Sequence, residues 1–252
     1  VGLITGDIAT STAGTSNFRA GVNAGNSIAS GGNYNVVVGD EAGTAITTGD
    51  QNTAVGYRAL FTNSTGGNNV ALGTYALDLN TTGASNTALG YLSLSANTEG
   101  TLNVAVGKDS MDSNTTGSNN VAVGVDALQA NTTADNNTAV GYFSLAANTT
   151  GASNVSVGKG ALQSNTTANY NTAVGMEALR ENTTGASNSA YGLYSLLTNT
   201  TGANNTAVGL SALYANTTAD NNTAVGKDAL TANTTGSENV AVGLDALQAN
   251  TT

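Results

Sequence analysis

The sequence contains no cysteine, no histidine, no proline and no tryptophan among its 252 residues. Without cysteine, the chain can form neither disulfides nor thiolate metal sites. The lack of histidine and cysteine removes the commonest general base and a major nucleophile, so we expect no enzymatic activity. The lack of proline suits a chain in which nearly every backbone N–H group donates a hydrogen bond.

Charged residues are also scarce, at 9% of the chain, against about 25% in typical globular proteins. Acidic side chains outnumber basic ones by 16 to 6, which gives a formal net charge of −10. Because phosphate recognition needs clustered lysine and arginine, we expect no nucleic-acid partner. We also expect no membrane insertion, since no apolar run approaches the roughly 18 residues that a membrane-spanning helix needs.

What the sequence has instead is a 17-residue repeat, a period typical of solenoids whose units stack on one another. An asparagine precedes the repeat glycine by four residues in every unit. Leucine follows the glycine by four residues, with Met111 and Gly43 as exceptions, and a second asparagine follows by seven, with Ile46 as the exception. The repeat glycines are Gly39, Gly56, Gly73, Gly90, Gly107, Gly124, Gly141, Gly158, Gly175, Gly192, Gly209, Gly226 and Gly243.

The repeat predicts an all-β protein, a parallel β-solenoid (β-roll) of about thirteen 17-residue coils. The segment Asn-Thr/Val-Ala-Val-Gly alternates between two faces, like a short strand. Asn-Thr-Thr-Gly is typical of a turn, because asparagine tolerates left-handed backbone and glycine supplies positive φ. The leucine-containing segment between them is either a second short strand or one helical turn. A helical solenoid is disfavoured, since asparagine, threonine and glycine are poor helix formers.

Residues 35–252 carry this repeat, which we expect to continue beyond the C-terminal end. Residues 1–34 fall outside its register, and we predict that they form a capping or linking segment, because a solenoid needs atypical end units to cover the open stack. The apolar residues of this segment include Val1, Leu3, Ile4, Phe18 and Ile28.

The two faces of the strand predict a homotrimer. Val70 and Leu72 share one face, and we expect that face to fill the interior of the coil. Ala71 and Gly73 lie on the opposite face, and small residues persist there in nearly every unit. Because a solvent-facing position normally varies among polar residues, persistent small residues indicate close approach by another backbone. We predict that this face lies on a threefold axis; a second layer of the same chain is the alternative.

Identical residues recur in columns, which we expect to form structural ladders. Asparagine amides stacked at the strand spacing of ~4.8 Å can hydrogen-bond from coil to coil. Such bonds satisfy polar groups that would each cost ~1–3 kcal/mol if they were buried without a partner. The ladder residues of the central coils are Asn120, Asn137, Asn154, Gly124, Gly141, Gly158, Leu128, Leu145 and Leu162.

Aspartates at one register of adjacent units are the candidates for metal or acid–base chemistry. Asp109 and Asp126 form one such pair, and Asp228 and Asp245 form another. Like charges about one strand spacing apart repel unless they are solvated or bridged by a cation. We expect solvated surface acids and no cofactor. One alternative is a weak calcium site, although the Gly-Asp nonapeptide of calcium-binding β-rolls is absent. The other is a glycosidase dyad.

Aromatic residues just after the repeat glycine are the candidate receptor contacts. Tyr57, Tyr91 and Tyr142 occupy the first position after it, and Phe143 occupies the second. Rings on a surface of small side chains either stack on the sugars of a host-surface polysaccharide or fill a groove between chains.

Paired threonines offer a third class of function, ice binding, because regular rows of threonine on a flat face can order water. Neighbouring threonines on a strand nevertheless point to opposite faces, and these pairs lie in a turn segment. The pairs include Thr115 and Thr116, Thr132 and Thr133, and Thr149 and Thr150.

The unit Asn137-Thr138-Ala139-Val140-Gly141 resembles the head-domain repeats of trimeric bacterial adhesins (trimeric autotransporters), whose strands form a trimeric left-handed β-roll. The 17-residue unit with A-L-x-x-N-T-T-G is also similar to repeats of phage tail fibres and related surface proteins, some ending in an endosialidase-type self-cleaving chaperone. The resemblance covers residues 35–252. It implies an extracellular structural fibre, on a virion tail or a bacterial surface, that serves as a shaft or head for host attachment. An ice-binding solenoid and a polysaccharide-depolymerising tail fibre are the alternatives.

Overall fold

The computed structural model describes residues 13–251. Across these residues the chain forms fourteen three-residue strands and no helix. Hence none of the described segments is a long apolar helix of the kind that crosses a membrane. The chain divides into two compact units, unit 1 up to residue 116 and unit 2 from residue 117. Val1, Leu3 and Ile4 of the predicted capping segment lie outside the described residues.

Unit 1 is a parallel β-solenoid in which each strand pairs with the next strand along the chain. From β2 onwards the paired residues are one repeat apart, as Ala54 and Ala71 are. The predicted all-β parallel solenoid with a 17-residue period is therefore confirmed. The strands of unit 1 are β1 (Phe18–Ala20), β2 (Val36–Val38), β3 (Thr53–Val55), β4 (Val70–Leu72), β5 (Thr87–Leu89) and β6 (Val104–Val106).

The first described coil is one residue longer than the repeat. Phe18 of β1 pairs in parallel with Val36 of β2, so part of the segment before residue 35 contributes a strand to the stack. Asn17 continues the first asparagine column, because its Oδ1 atom accepts a hydrogen bond from the Asn35 backbone N–H at 2.8 Å. The extra residue explains why a search at constant spacing misses this coil.

Unit 2 has the same construction, with every strand parallel to its sequence neighbour. The pairing keeps the 17-residue register throughout, as between Ala139 and Ser156. The strands of unit 2 are β7 (Val121–Val123), β8 (Thr138–Val140), β9 (Val155–Val157), β10 (Thr172–Val174), β11 (Ser189–Tyr191), β12 (Thr206–Val208), β13 (Thr223–Val225) and β14 (Val240–Val242).

The alanine face of the strands, not the valine and leucine face, fills the interior of each coil. Ala71 is fully buried, whereas Val70 is half-buried and Leu72 is 36% exposed. A coil of 17 residues has a narrow interior, which the leucine four residues after the glycine already occupies, so only a small side chain, alanine or Ser156, fits opposite it at native packing density. The predicted orientation is therefore wrong, and the alanine column does not lie on an intermolecular axis.

The segment after each strand is neither a strand nor a helical turn but a series of tight turns. In the Gly124 coil, Asp126 and Leu128 have φ values of 55° and 51°. Left-handed backbone costs a residue such as leucine roughly 1–2 kcal/mol. It persists because stacking fixes it: Leu128 is fully buried, and its N–H donates to the Ser144 carbonyl oxygen at 3.0 Å.

The two asparagine columns form two different ladders. In the first column, the Asn154 backbone N–H donates to Asn137 Oδ1 at 2.9 Å, and Asn137 Nδ2 donates to the Gly151 carbonyl oxygen at 2.9 Å. In the second column, the bond runs between amides, from Asn165 Nδ2 to Asn148 Oδ1 at 2.8 Å. The first ladder thus links mainly side chain to backbone, with an added amide-to-amide bond from Asn154 Nδ2 to Asn137 Oδ1 at 3.2 Å, and the second matches the predicted amide-to-amide pattern.

The repeat glycine is required by both conformation and space. Gly141 has a φ of 135°, a backbone conformation that residues other than glycine rarely adopt. A Cβ atom on Gly141 would lie 2.6 Å from the Gly158 carbonyl oxygen in the next coil. Any larger residue would therefore separate the coils, which accounts for the unbroken glycine column.

Candidate functional site

Within each unit, the outward face of the strands carries a column of apolar side chains, which we call the aliphatic strip in both units. It consists of the third residue of each strand from β2 onwards, and every member is aliphatic except Tyr191. Leu89 is 45% exposed and Val208 is 37% exposed. The members are Val38, Val55, Leu72, Leu89 and Val106 in unit 1, and Val123, Val140, Val157, Val174, Tyr191, Val208, Val225 and Val242 in unit 2.

The residues on either side of the strip extend the apolar surface unevenly. From β2 onwards, the first residue of each strand also faces outward and is valine, threonine or serine, as at Thr138 and Val155. The residue after the repeat glycine is often a large exposed apolar one, as at Met176 and Leu210. Contiguous exposed apolar surface of this kind marks an interaction site in soluble proteins.

In unit 1, three tyrosines from consecutive coils form a second candidate surface. The Tyr57 and Tyr75 ring centroids are 5.5 Å apart with an interplanar angle of 80°, and the Tyr75 and Tyr91 centroids are 6.3 Å apart at 76°. These edge-to-face contacts are the geometry that aromatic pairs prefer. Tyr57 and Tyr91 nevertheless remain 43% and 47% exposed.

Arg58 lies among these rings and is held from two sides. Its guanidinium carbon is 4.0 Å from the centroid of the Phe61 ring and 5.7 Å from that of Tyr75. Its Nε and Nη2 atoms donate to the two carboxylate oxygens of Asp78, at 3.2 and 3.4 Å. Burial raises the pKa of Asp78 above its ordinary value, although the Arg58 charge opposes the shift. Because removing the two charges from water offsets much of their attraction, the main effect of the ion pair is to orient the Arg58 guanidinium.

The structure sorts the four predicted receptor contacts into two groups. Tyr57 and Tyr91 lie on either side of Tyr75 in unit 1. Tyr142 and Phe143 contact each other in unit 2, with centroids 4.4 Å apart. Two different places therefore carry the predicted aromatic contacts, and the unit 1 group is the larger.

Sequence reasoning missed Arg58, Phe61, Tyr75 and Asp78 as members of one group. They occupy the second and fifth positions after a repeat glycine, which the left-handed turns bring to one side of the coil. The same two positions are joined in unit 2, where Arg180 Nη1 lies 3.2 Å from Glu177 Oε2. A comparison of the two columns would have found the group, because Arg58 and Asp78 have opposite charges there.

The predicted acid pairs have lysine neighbours. Asp109, only 9% exposed, forms an ion pair with Lys108, and Asp228 Oδ2 lies 2.6 Å from Lys227 Nζ. The hydrogen bond and charge of Asp228 raise the pKa of Lys227. No group of three or more acidic side chains suited to a metal ion occurs in the described part of the chain.

The paired threonines separate into two columns with different roles. Thr132 Oγ1 donates to the Thr149 carbonyl oxygen at 3.2 Å, and Thr149 Oγ1 donates to that of Thr166 at 3.0 Å. The second threonine of each pair, such as Thr133 or Thr150, is exposed. The first column therefore stabilises coil stacking, and the second lies on the exposed side of the turn.

No family model, no curated protein and no solved structure matches this chain. The fold defines the class, a parallel β-solenoid repeat protein with an apolar strip along its strands. The likeness to adhesin and tail-fibre repeats stays a prediction that rests on the repeat unit alone.

Proposed function

We propose that this chain is a structural module of an extracellular fibre, a shaft or head of a phage tail fibre or bacterial surface adhesin, that acts through self-association and attachment and catalyses no reaction. The aliphatic strip is the observation that carries the proposal. It recurs once per coil from β2 onwards in both units, and its side chains lie on the face of the strand opposite the buried alanine column.

The occupant that fits the strip best is a second copy of the same strip. Copies aligned in parallel match coil for coil, because the spacing of side chains along the strip is the spacing of the strands. The strip contains no charged residue, so two copies that meet there place no like charges in direct contact, even though each copy carries a net charge of −10. Apolar area removed from water contributes about 25 cal/mol per Å². A homotrimer on a threefold axis buries all three strips at once.

The proposal is tested by the mass of the protein in solution. Light scattering coupled to gel filtration should give three times the chain mass of 24.7 kDa. The double variant V140K/V157K places two charges in the strip and should lower the mass to that of one chain while far-UV circular dichroism stays unchanged. The control T150K places a charge on an exposed turn and should leave the trimer intact. A wild-type monomer at micromolar concentration contradicts the proposal.

Ice binding is a second candidate, favoured by the threonines that precede the strip on the outward strand face. Thr206 and Thr223 are neighbours in register, each two residues from a strip valine. These strand threonines present hydroxyl and methyl groups at the regular strand spacing, and they are not the turn threonines predicted from the sequence. Thermal hysteresis of the monomeric V140K/V157K variant, lost in T206K/T223K, would support this candidate.

A further inference from the structure

We propose that a neutral, linear polysaccharide binds along the coils of unit 1 at the aromatic group, which we call the tyrosine site. The inference deepens the attachment part of the proposed function by naming the class of ligand and its residues. The tyrosine site consists of Tyr57, Arg58, Phe61, Tyr75, Asp78 and Tyr91.

The spacing of the rings matches a polymer that runs along the stack. Consecutive tyrosines come from consecutive coils, and their centroids are separated by 5.5 and 6.3 Å, close to the strand spacing of ~4.8 Å. One sugar ring of a linear glycan has a similar length along its chain. Each sugar can therefore place its apolar C–H face against one tyrosine and its hydroxyl groups toward the next.

Arg58 supplies the directional part of the site. Two of its guanidinium N–H groups donate to Asp78, out of the five that an arginine side chain carries. The Phe61 ring and Asp78 fix the plane of the guanidinium, and its side chain remains 29% exposed. The remaining N–H groups are thus held in place to donate to neighbouring hydroxyls of one sugar, without a further loss of side-chain entropy.

Charge selects a neutral ligand over an acidic one. Asp78 compensates the only positive charge in the tyrosine site, and the chain as a whole carries −10. An acidic glycan would gain no net attraction at Arg58 and would meet repulsion from the rest of the molecule.

The fold itself does not explain these residues. The same positions after the glycine carry lysine, methionine, leucine or aspartate in other coils, and those coils have the same strand pairing. The rings occur together in three consecutive coils and stay partly exposed, which is typical of a binding surface.

Isothermal titration with six-sugar oligomers of glucose, mannose, galactose and N-acetylglucosamine tests the site on the full chain. We expect at least one neutral series to bind, and the tyrosine fluorescence to change on binding. Y75A should weaken binding about tenfold, which is ~1.4 kcal/mol, and R58A and the pair Y57A/Y91A should do the same. The matched control Y170A removes a tyrosine that is 68% exposed and lies in unit 2, and it should bind like wild type. Unchanged melting temperatures ensure that the variants are folded.

Three results would overturn the inference: no neutral oligomer binds at millimolar concentration, the affinity is the same in Y75A as in wild type, or only an acidic polymer such as hyaluronan binds. The mass measured on the same samples keeps the two proposals apart. A trimer without saccharide binding overturns only the tyrosine site, whereas a monomer that binds saccharide overturns only self-association.

Discussion

Replacing Asn137 with alanine perturbs the first ladder at a single coil. Asn137 is fully buried, and its side chain satisfies groups from two other residues. Its Oδ1 atom accepts the Asn154 N–H at 2.9 Å, and its Nδ2 group donates to the Gly151 carbonyl oxygen at 2.9 Å. Alanine supplies neither an acceptor nor a donor, so both backbone groups lose their partner inside the protein.

The expected loss follows from those two groups. A buried polar group left without a hydrogen bond costs ~1–3 kcal/mol, so N137A should lower the free energy of unfolding by about 2–6 kcal/mol. That is a large part of the ~5–15 kcal/mol that stabilises a typical domain. The control T150A removes an exposed side chain and should change stability by less than about 0.5 kcal/mol.

Urea unfolding followed by far-UV circular dichroism measures the difference. The N137D variant should lose at least as much stability at pH 7, because it loses the donor to Gly151 and buries a negative charge. Burial favours the protonated carboxyl, so N137D should regain stability as the pH falls, while N137A should follow wild type in its pH dependence. If both variants unfold at the urea concentration of wild type, the ladder does not stabilise the coils.

Three further changes test the repeat, the glycine column and a buried serine pair. Deleting residues 124–140 joins Val123 to Gly141 in register and should keep the fold and saccharide binding in unit 1, whereas deleting eight residues should abolish folding, as circular dichroism will show. G141A should lower the free energy of unfolding by ~1–3 kcal/mol from backbone strain alone, measured by urea unfolding, while A147G, at a half-buried turn position, serves as a milder control. Ser144 Oγ donates to Ser156 Oγ at 2.7 Å, so S144A and S156A should each lower the free energy of unfolding by about 1 kcal/mol. The double variant should lose less than the sum of the two; strictly additive losses would contradict an interaction between the two serines.

The period and the strands could be predicted from the sequence because the glycine and asparagine columns recur without an insertion. Which strand face lies inside the coil could not be predicted, since both faces of a strand such as Val70–Leu72 are apolar and either could be buried. What decides between them is the volume inside the coil, where Leu77 and Ala76 are already fully buried. That volume depends on the path of the turns, and the alternation of residues along a strand gives no information about that path.

The tyrosine site was only partly predictable for a related reason. Tyr57 and Tyr91 share a column and stand out in the sequence, but Arg58 and Asp78 meet only because turn residues adopt left-handed backbone. Arg58 has a φ of 54° and Leu60 a φ of 56°, values that residue propensities do not favour. Likewise Asn17 was missed, because one extra residue shifts the first described coil out of the constant spacing.

Disulfide cross-linking through the aliphatic strip tests self-association most directly, because the natural chain contains no cysteine. V208C places a thiol on the strip, and the control T201C places one on an exposed turn. Identical residues meet around a threefold axis, so oxidised V208C should run as covalent dimers with about one chain in three left single, while T201C should stay uncross-linked. Cross-linking of T201C but not of V208C, or of neither at a concentration where wild type is folded, would contradict assembly through the strip.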